Sequence, residues 1–415
     1  MAKIYHAHLW GSREDKYHYL QEHDINSVEW TEIFPNSPFY LFIPQSTDCR
    51  AEYEQGWKIT DIMPVNSTGV KTHRDHFVFD FDLSELRKRI EKFRDLSITD
   101  EEISNIYEIQ DTRDWKLSQK RRSLKSNKDW EKYFTQCLYR PFDWRAYYHH
   151  EDVVELPRNE VMRNFLQTNN LGFITSRNVE IERIYDQVLC TSNLINNHTL
   201  CLKEVNYVFP LYLYPDLDNP QGSLFASGKI EINISQKFIN SIQQKLEYIP
   251  TPEAIFYYIY AIFHSPTYRQ RYAEFLKIDF PRVPLTSNDK LFKDLGEKGQ
   301  ELVELHLMKS KKLNKLITKV GGDGDNTVTE VTYKLTEQRV YINKNRYFEG
   351  IAPEVWEFKI GGYQVLDKWL KDRKKANRSL SFDDVLHYQK VVVALKETMQ
   401  LMTEIDRIIP GFPIE

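Results

Sequence analysis

The sequence predicts an α+β protein: a mixed body of strands and helices, followed by a helical C-terminal region that carries a small β-hairpin. Two observations carry this expectation. From Trp57 to about Pro284, strand-like apolar runs and helix-like stripes interleave without a regular beat, whereas a doubly wound parallel sheet would alternate them. Beyond Pro281, Pro284 and the polar run Thr286-Ser287-Asn288-Asp289, leucines recur at helical spacing. The chain has 415 residues, more than a single core of about 100–200 residues usually holds. Three segments are expected: a connector over 1–56, the mixed body over 57–285, and a bracing helical region over 286–415.

The elements follow in order. Lys3-Ile4-Tyr5-His6-Ala7-His8-Leu9 alternates as a strand does, Gly11 breaks it, and Ser12–Glu22 reads as a helix capped by Ser12. Phe39-Tyr40-Leu41-Phe42-Ile43, between prolines, reads as a buried strand. In the body, strands are expected at Phe77–Phe79, Leu171–Ile174, Gln187–Leu189, Tyr207–Phe209 and Leu211–Tyr214. Helices are expected at Leu83–Phe93, Asn159–Gln167, Ser235–Leu246 and Pro252–Phe263, the last with Pro252 in its tolerant first turn. The stripe Leu291, Leu295, Leu302, Leu305, Leu307, Leu313, Leu316 predicts a helix over Leu291–Ile317. Gly321–Asn326 is a loop, Thr327–Leu335 and Arg339–Ile342 form the hairpin, and two helices near Val365–Lys374 and Phe382–Ile409 end the chain. Ser381 ahead of Asp383 and Asp384 is a favourable N-terminus for the second.

Composition narrows the class. Hydrophobic residues make up 41% and charged residues 28%, as in ordinary globular proteins. No apolar run approaches the roughly 18–20 residues of a membrane span, and the N-terminus turns polar too early for a secretory signal. Four cysteines, Cys49, Cys137, Cys190 and Cys201, include no C-x-x-C pair, so reduced thiols and a cytoplasmic setting are expected. Net charge is −4, which does not advertise a nucleic-acid binder. The distribution is more telling: Asp111–Lys132 holds eight basic and four acidic residues, Lys309–Lys319 five lysines and no acid, and Lys371–Arg378 five basic residues and one Asp. Each is also readable as a solvated helix face; together they leave room for a binding face.

Several catalytic signatures are missing. There is no Pro-Pro pair, so the N-P-P-Y-type loop with which amino-methyltransferases hold a flipped base is absent. Neither a G-x-x-x-x-G-K-[S/T] phosphate loop nor an H-E-x-x-H motif occurs. His149-His150-Glu151-Asp152 gathers metal-ligand types, but neighbours on a strand point apart. Glu357-Phe358-Lys359 has the E-x-K spacing of a metal-dependent nuclease without an identifiable upstream Asp. His264 and Ser265 read better as a helix-ending polar pair than as a nucleophile and its base. No catalytic group, cofactor or metal site is therefore assigned.

Several segments in this order resemble the C-terminal region of type ISP restriction-modification enzymes, single polypeptides joining nuclease, helicase-like, adenine methyltransferase and target-recognition parts. Ile62-Met63-Pro64-Val65-Asn66-Ser67-Thr68-Gly69-Val70-Lys71-Thr72-His73-Arg74-Asp75 looks like the segment opening the recognition domain, with His73 where a second Gly is usual. Tyr139-Arg140-Pro141-Phe142-Asp143-Trp144-Arg145 resembles the "R-P-F-D-x-R" segment, and Leu171–Arg177 the "L-x-L-I-T-x-R" strand. Ile259–Ser265, Phe280–Pro284, Tyr347–Gly350 and Ile360–Leu366 resemble later segments of the same group. The resemblance implies a sequence-specific duplex-DNA recognition module. Its methylation and cleavage chemistry would belong to methyltransferase and helicase/nuclease domains or subunits upstream, and Lys3–Leu9 would end a methyltransferase sheet.

Such a module needs phosphate contacts for register and base-edge contacts for sequence. Lys120, Arg121, Arg122 and Lys125 suit the first task, with Lys128 beside them. Arg74, Arg145, Arg177 and Asn178 have the flat, bidentate side chains of the second. Lys71, Thr72 and His73 share the post-glycine loop with Arg74, and Arg140 and Ser176 complete the expected DNA-binding set. Two other classes stay open: a divergent adenine methyltransferase or nuclease, and a scaffold that only joins neighbouring domains.

Overall fold

The computed structural model of the protein describes residues 2–37, 40–44, 48–166, 170–180, 183–215 and 229–414. They form two compact units, Met1–Ala51 and Glu52–Glu415. In the first, strands Ile4–His6 and Thr31–Ile33 pair antiparallel around the helix Arg13–Glu22. That helix starts in a capping box, Ser12 accepting from the Asp15 backbone and Asp15 answering onto Ser12. The expected strand through residues 40–43 is not formed: these residues carry no regular structure, and Tyr40 and Phe42 are 60% and 64% exposed. Their aromatic side chains mimic a buried run, but no strand pairs with them among the described residues. Phe39 lies outside the described residues.

The second unit is mixed α and β, as its interleaved pattern predicts. One four-stranded sheet runs Leu194–Ile195, Phe134–Arg140, Asp143–Tyr148, Phe79–Asp80, parallel in its first pair and antiparallel in the others. Another runs Ser67–Thr68, Asn206–Pro210, Gly172–Ser176, Val188–Thr191 and is antiparallel throughout. The three long strands of the second sheet are buried on both faces around Phe173, Ile174, Val208 and Phe209, which explains why they read as apolar runs rather than alternations. Phe77-Val78-Phe79 departs from expectation. Residues Asp75–Val78 make a helical turn that begins with Phe77 N–H donating to Arg74 O, and only Phe79–Asp80 is strand. All three apolar side chains are buried, and an apolar run of this length marks a buried segment without deciding between strand and helix.

The C-terminal half is built on three packed helices, Pro252–His264, Asp289–His306 and Phe382–Ile408. Gly299 lets the first two close, since a Cβ there would sit 1.9 Å from Tyr257 O. Thr251 caps Pro252–His264, and Ser381 with Asp384 forms a capping box on Phe382–Ile408. The helix expected over Leu291–Ile317 stops at His306, because Met308 is left-handed (φ 59°) and Ser310 caps a separate turn over Lys311–Asn314. The hairpin is part of a larger sheet, Lys319–Gly321, Tyr347–Glu349, Arg339–Tyr341, Thr332–Lys334. Asn159–Met162 is shorter than the helix foreseen, continuing as a tight 3-10 turn to Phe165; Gln167 lies outside the described residues. Among the described residues no helix is long and apolar enough to cross a membrane. All four cysteines are free thiols.

Candidate nucleic-acid interface

The loop after strand Ser67–Thr68 is held from behind. A Cβ at Gly69 would lie 2.4 Å from the Asn196 carbonyl carbon, so only glycine lets the chain pass that close. Lys71 then exchanges backbone hydrogen bonds with Leu156 (3.1 and 2.9 Å). Thr72 turns inward, donating to Asp75 and accepting from Arg74 N–H at 3.1 Å. His73 adopts φ 59°, a left-handed conformation that costs a non-glycine residue roughly 1–2 kcal/mol. Its ring stays exposed, 3.5 Å from Glu155. Lys71 and His73 therefore face solvent on a loop whose other two residues are buried.

Arg74, assigned above to base reading, is 4% exposed and turned inward. Its guanidinium lies 3.8 Å over the Trp115 ring, donates to the Thr72 and Val153 carbonyls at 3.3 Å, and pairs with Glu155 at 3.5 Å. In this geometry it sets the shape of the loop, and its burial turns the guanidinium away from a base edge. Thr72 is sealed in the same way.

Arg145 is likewise internal. It donates to Asp143 (3.0 and 2.8 Å) and to Asp372 (3.0 Å) and stacks on Tyr139 and Phe81. Burial alone would raise the Asp143 carboxyl, but Arg373 and Arg145 outweigh it and hold the group well below the usual range. Arg140 is 6% exposed, with its guanidinium 3.9 Å over Tyr139. Burial pushes the Tyr139 hydroxyl up to about 12, so it stays protonated and donates to Asp75 at 3.0 Å.

The basic stretch divides by helix face. On the helix Leu117–Ser126, Arg121 is 1% exposed and donates to the Phe93, Asp95 and Ile98 carbonyls and to Asp100. Its assignment as a phosphate contact is corrected accordingly: the side chain ties this helix to Leu83–Arg94. Lys120 is half-buried against Glu151 O and Asp152. Arg122, Lys125 and Lys128 are exposed and make no ion pair among the described residues. At the end of strand Gly172–Ser176, Ser176 is buried between Gln187 and Asn206. Arg177 is 57% exposed while reaching Asp279 at 3.2 Å, and Asn178 is exposed.

The thirteen residues of the expected DNA-binding set thus fall into an outward group (Lys71, His73, Arg122, Lys125, Arg177, Asn178, with Lys120 between) and an inward one (Thr72, Arg74, Arg121, Arg140, Arg145, Ser176); Lys128 beside them is outward. Sequence reading missed the internal partners Trp115, Glu155, Asp372 and Arg373. No local signal marks them, because their contacts span long stretches of chain. It also missed a cleft of about 900 Å³ whose wall includes Asp75, Tyr139, Arg140, Arg145, Lys375 and Arg378.

A family model described as the type ISP C-terminal specificity domain matches residues 61–404. Three solved structures share the fold. A cryoEM DrdV–DNA complex aligns with a TM-score of 0.72 at 21% identity, covering 100% of this chain and 43% of that one. A nuclease-deletion mutant of the type ISP restriction-modification enzyme LlaGI, in complex with a DNA substrate mimic, aligns at TM-score 0.70 and 20% identity, covering 97% and 38%. The ATP-dependent type ISP enzyme LlaBIII bound to DNA aligns at TM-score 0.70 and 18% identity, covering 93% and 26%. The chain spans less than half the length of each of these proteins. No curated protein matches it.

Proposed function

The chain belongs to the type ISP C-terminal specificity domain family, and on that premise we propose that it is the duplex-DNA target-recognition module of a restriction-modification enzyme. The observation that carries the proposal is the family match over residues 61–404, joined to a fold shared with type ISP enzymes solved on DNA. In this reading the outward residues touch nucleic acid, while Thr72, Arg74, Arg121, Arg145 and Ser176 shape the surface. Lys71, His73, Arg177 and Asn178 sit on loops at strand ends, where side chains reach base edges. Lys120, Arg122 and Lys125 line one helix and neutralise phosphates. The segment 286–415 braces the body over 57–285, and residues 1–56 connect to methyltransferase and helicase/nuclease domains or subunits that supply adenine methylation and cleavage. The four free thiols and the DNA substrate fit a cytoplasmic setting.

The test is selection of bound duplexes from a randomised pool, followed by fluorescence anisotropy on the enriched sequence. A defined sequence should emerge, and Lys71→Ala and Arg177→Ala should weaken its preference. If no sequence is enriched and neither substitution changes binding, the chain is a scaffold between other domains.

A further inference from the structure

The DNA-facing set leaves one buried cation unexplained. Arg140 is 6% exposed, yet no carboxylate lies within ion-pair distance among the described residues. Its Nη1 donates to Tyr139 O (2.5 Å) and to Asn196 Oδ1 (3.2 Å), while its Nε is buried with no acceptor. The other buried arginines of this region are matched: Arg74 by Glu155, Arg121 by Asp100, Arg145 and Arg373 by Asp143. Taking a cation out of water without a counter-charge is costly, and folded chains normally supply one.

Arg140 lines the 900 Å³ cleft, which lies between the sheet carrying Phe134–Arg140 and the helix Val365–Lys375. Four carboxylates share that wall. Three already hold cations: Asp80 holds Arg89, Asp82 holds Arg378, and Asp372 holds Arg145 and Lys368. The fourth, Asp75, accepts hydrogen bonds from Thr72 and Tyr139 and is separated from Arg140 by Asn196, which contacts both. Arg140 is left unmatched, and so is Lys375, an exposed side chain on the helix side with no ion pair among the described residues. The cleft's excess positive charge therefore sits on one residue of each wall.

We propose that this cleft is a phosphate pocket: it admits one phosphate group, whose oxygens face the Arg140 guanidinium on the sheet side and Lys375 on the helix side. A planar guanidinium stacked on an aromatic ring keeps its donor edge free for such a group. Only the source of the phosphate rests on the DNA-recognition reading, in which a backbone phosphodiester enters the pocket and fixes the register of the duplex.

The experiment uses the full chain, Arg140→Gln, and the exposed variant Lys375→Ala, which keeps the test open if the buried substitution fails to fold. Thermal midpoints are compared in sodium phosphate and in sodium chloride of equal ionic strength. Phosphate should raise the wild-type midpoint by about 1–3 °C. The rise should vanish in Arg140→Gln and shrink in Lys375→Ala. No rise, or a rise that the folded variants keep, overturns the pocket. On the selected duplex, Lys375→Ala should lower the slope of log affinity against log salt by about 0.9 without changing sequence preference. A pocket that passes the phosphate test in a chain that binds no duplex would retain the pocket and sink the DNA reading, with a free phosphate compound as its ligand.

Discussion

Arg373 donates a 2.7 Å hydrogen bond to Asp143 across 230 positions of sequence, and both side chains are almost fully buried. Arg145 extends the pair, holding Asp143 on one side and Asp372 on the other. These four charges join the strand Asp143–Tyr148 to the helix Val365–Lys375, and the body to the C-terminal region.

Breaking this cluster should cost stability rather than affinity alone. Removing one partner of a buried pair leaves the other uncompensated, at about 3–5 kcal/mol. Arg373→Met should lower the urea midpoint accordingly. The carboxyl of Asp143 is held below its unfolded value, so the pair's contribution is complete above about pH 4 and is lost as pH falls through the folded value. Acid titrations of wild type and Arg373→Met should therefore converge at the acidic end. Curves that stay a constant distance apart would mean that the loss in Arg373→Met does not depend on the ionisation of Asp143.

The two faces of the helix Leu117–Ser126 should separate binding from folding. Arg122→Ala with Lys125→Ala should reduce the salt dependence of duplex affinity by about 0.9 for each phosphate no longer neutralised, leaving thermal stability within about 0.5 kcal/mol. Arg121→Ala should do the reverse, since it strips hydrogen bonds from the Phe93, Asp95 and Ile98 carbonyls. Thermal melts and anisotropy titrations on the three proteins decide this.

His73→Gly should stabilise the fold and weaken the reading. At φ 59° a glycine relieves about 1 kcal/mol of backbone strain, offset in part by its greater freedom when unfolded. A higher melting temperature with reduced discrimination among duplexes is expected. A lower melting temperature would show that the His73 ring beside Glu155 contributes more than the strain costs.

Buried histidines should make the protein acid-sensitive well above the carboxylate range. Burial, with Arg269 nearby, pushes His306 down to about 3, and burial pushes His149 down to about 4. Both stay neutral when folded, so their contribution is full above the unfolded value of about 6.5. Below it, each loses about 1.4 kcal/mol per pH unit as the unfolded chain takes up the proton. His306 also bridges Tyr260 (2.5 Å) and Thr398 (2.9 Å). His306→Gln should be less stable at pH 7 and should show a shallower loss between pH 6 and 5, measured by urea unfolding at each pH.

Much of this chain is legible before folding wherever the controlling interaction is local. Ser12 with Asp15, Ser381 with Asp384, and Thr251 ahead of Pro252 mark helix starts within a single turn, and the short segments from Ile62–Asp75 to Ile360–Leu366, taken together in their order, suggest the family. The fate of the arginines was not legible. Arg74, Arg121 and Arg145 have the residue type that DNA contact requires, and each instead faces inward onto Val153, Phe93 or Asp372, up to 227 positions away. A guanidinium serves equally well in a groove or in an internal cluster, and which one it meets depends on the charges and carbonyls that packing brings beside it. Composition and order could thus supply the cations of a recognition module; only the approach of distant strands and helices decided which of them remain available to a ligand.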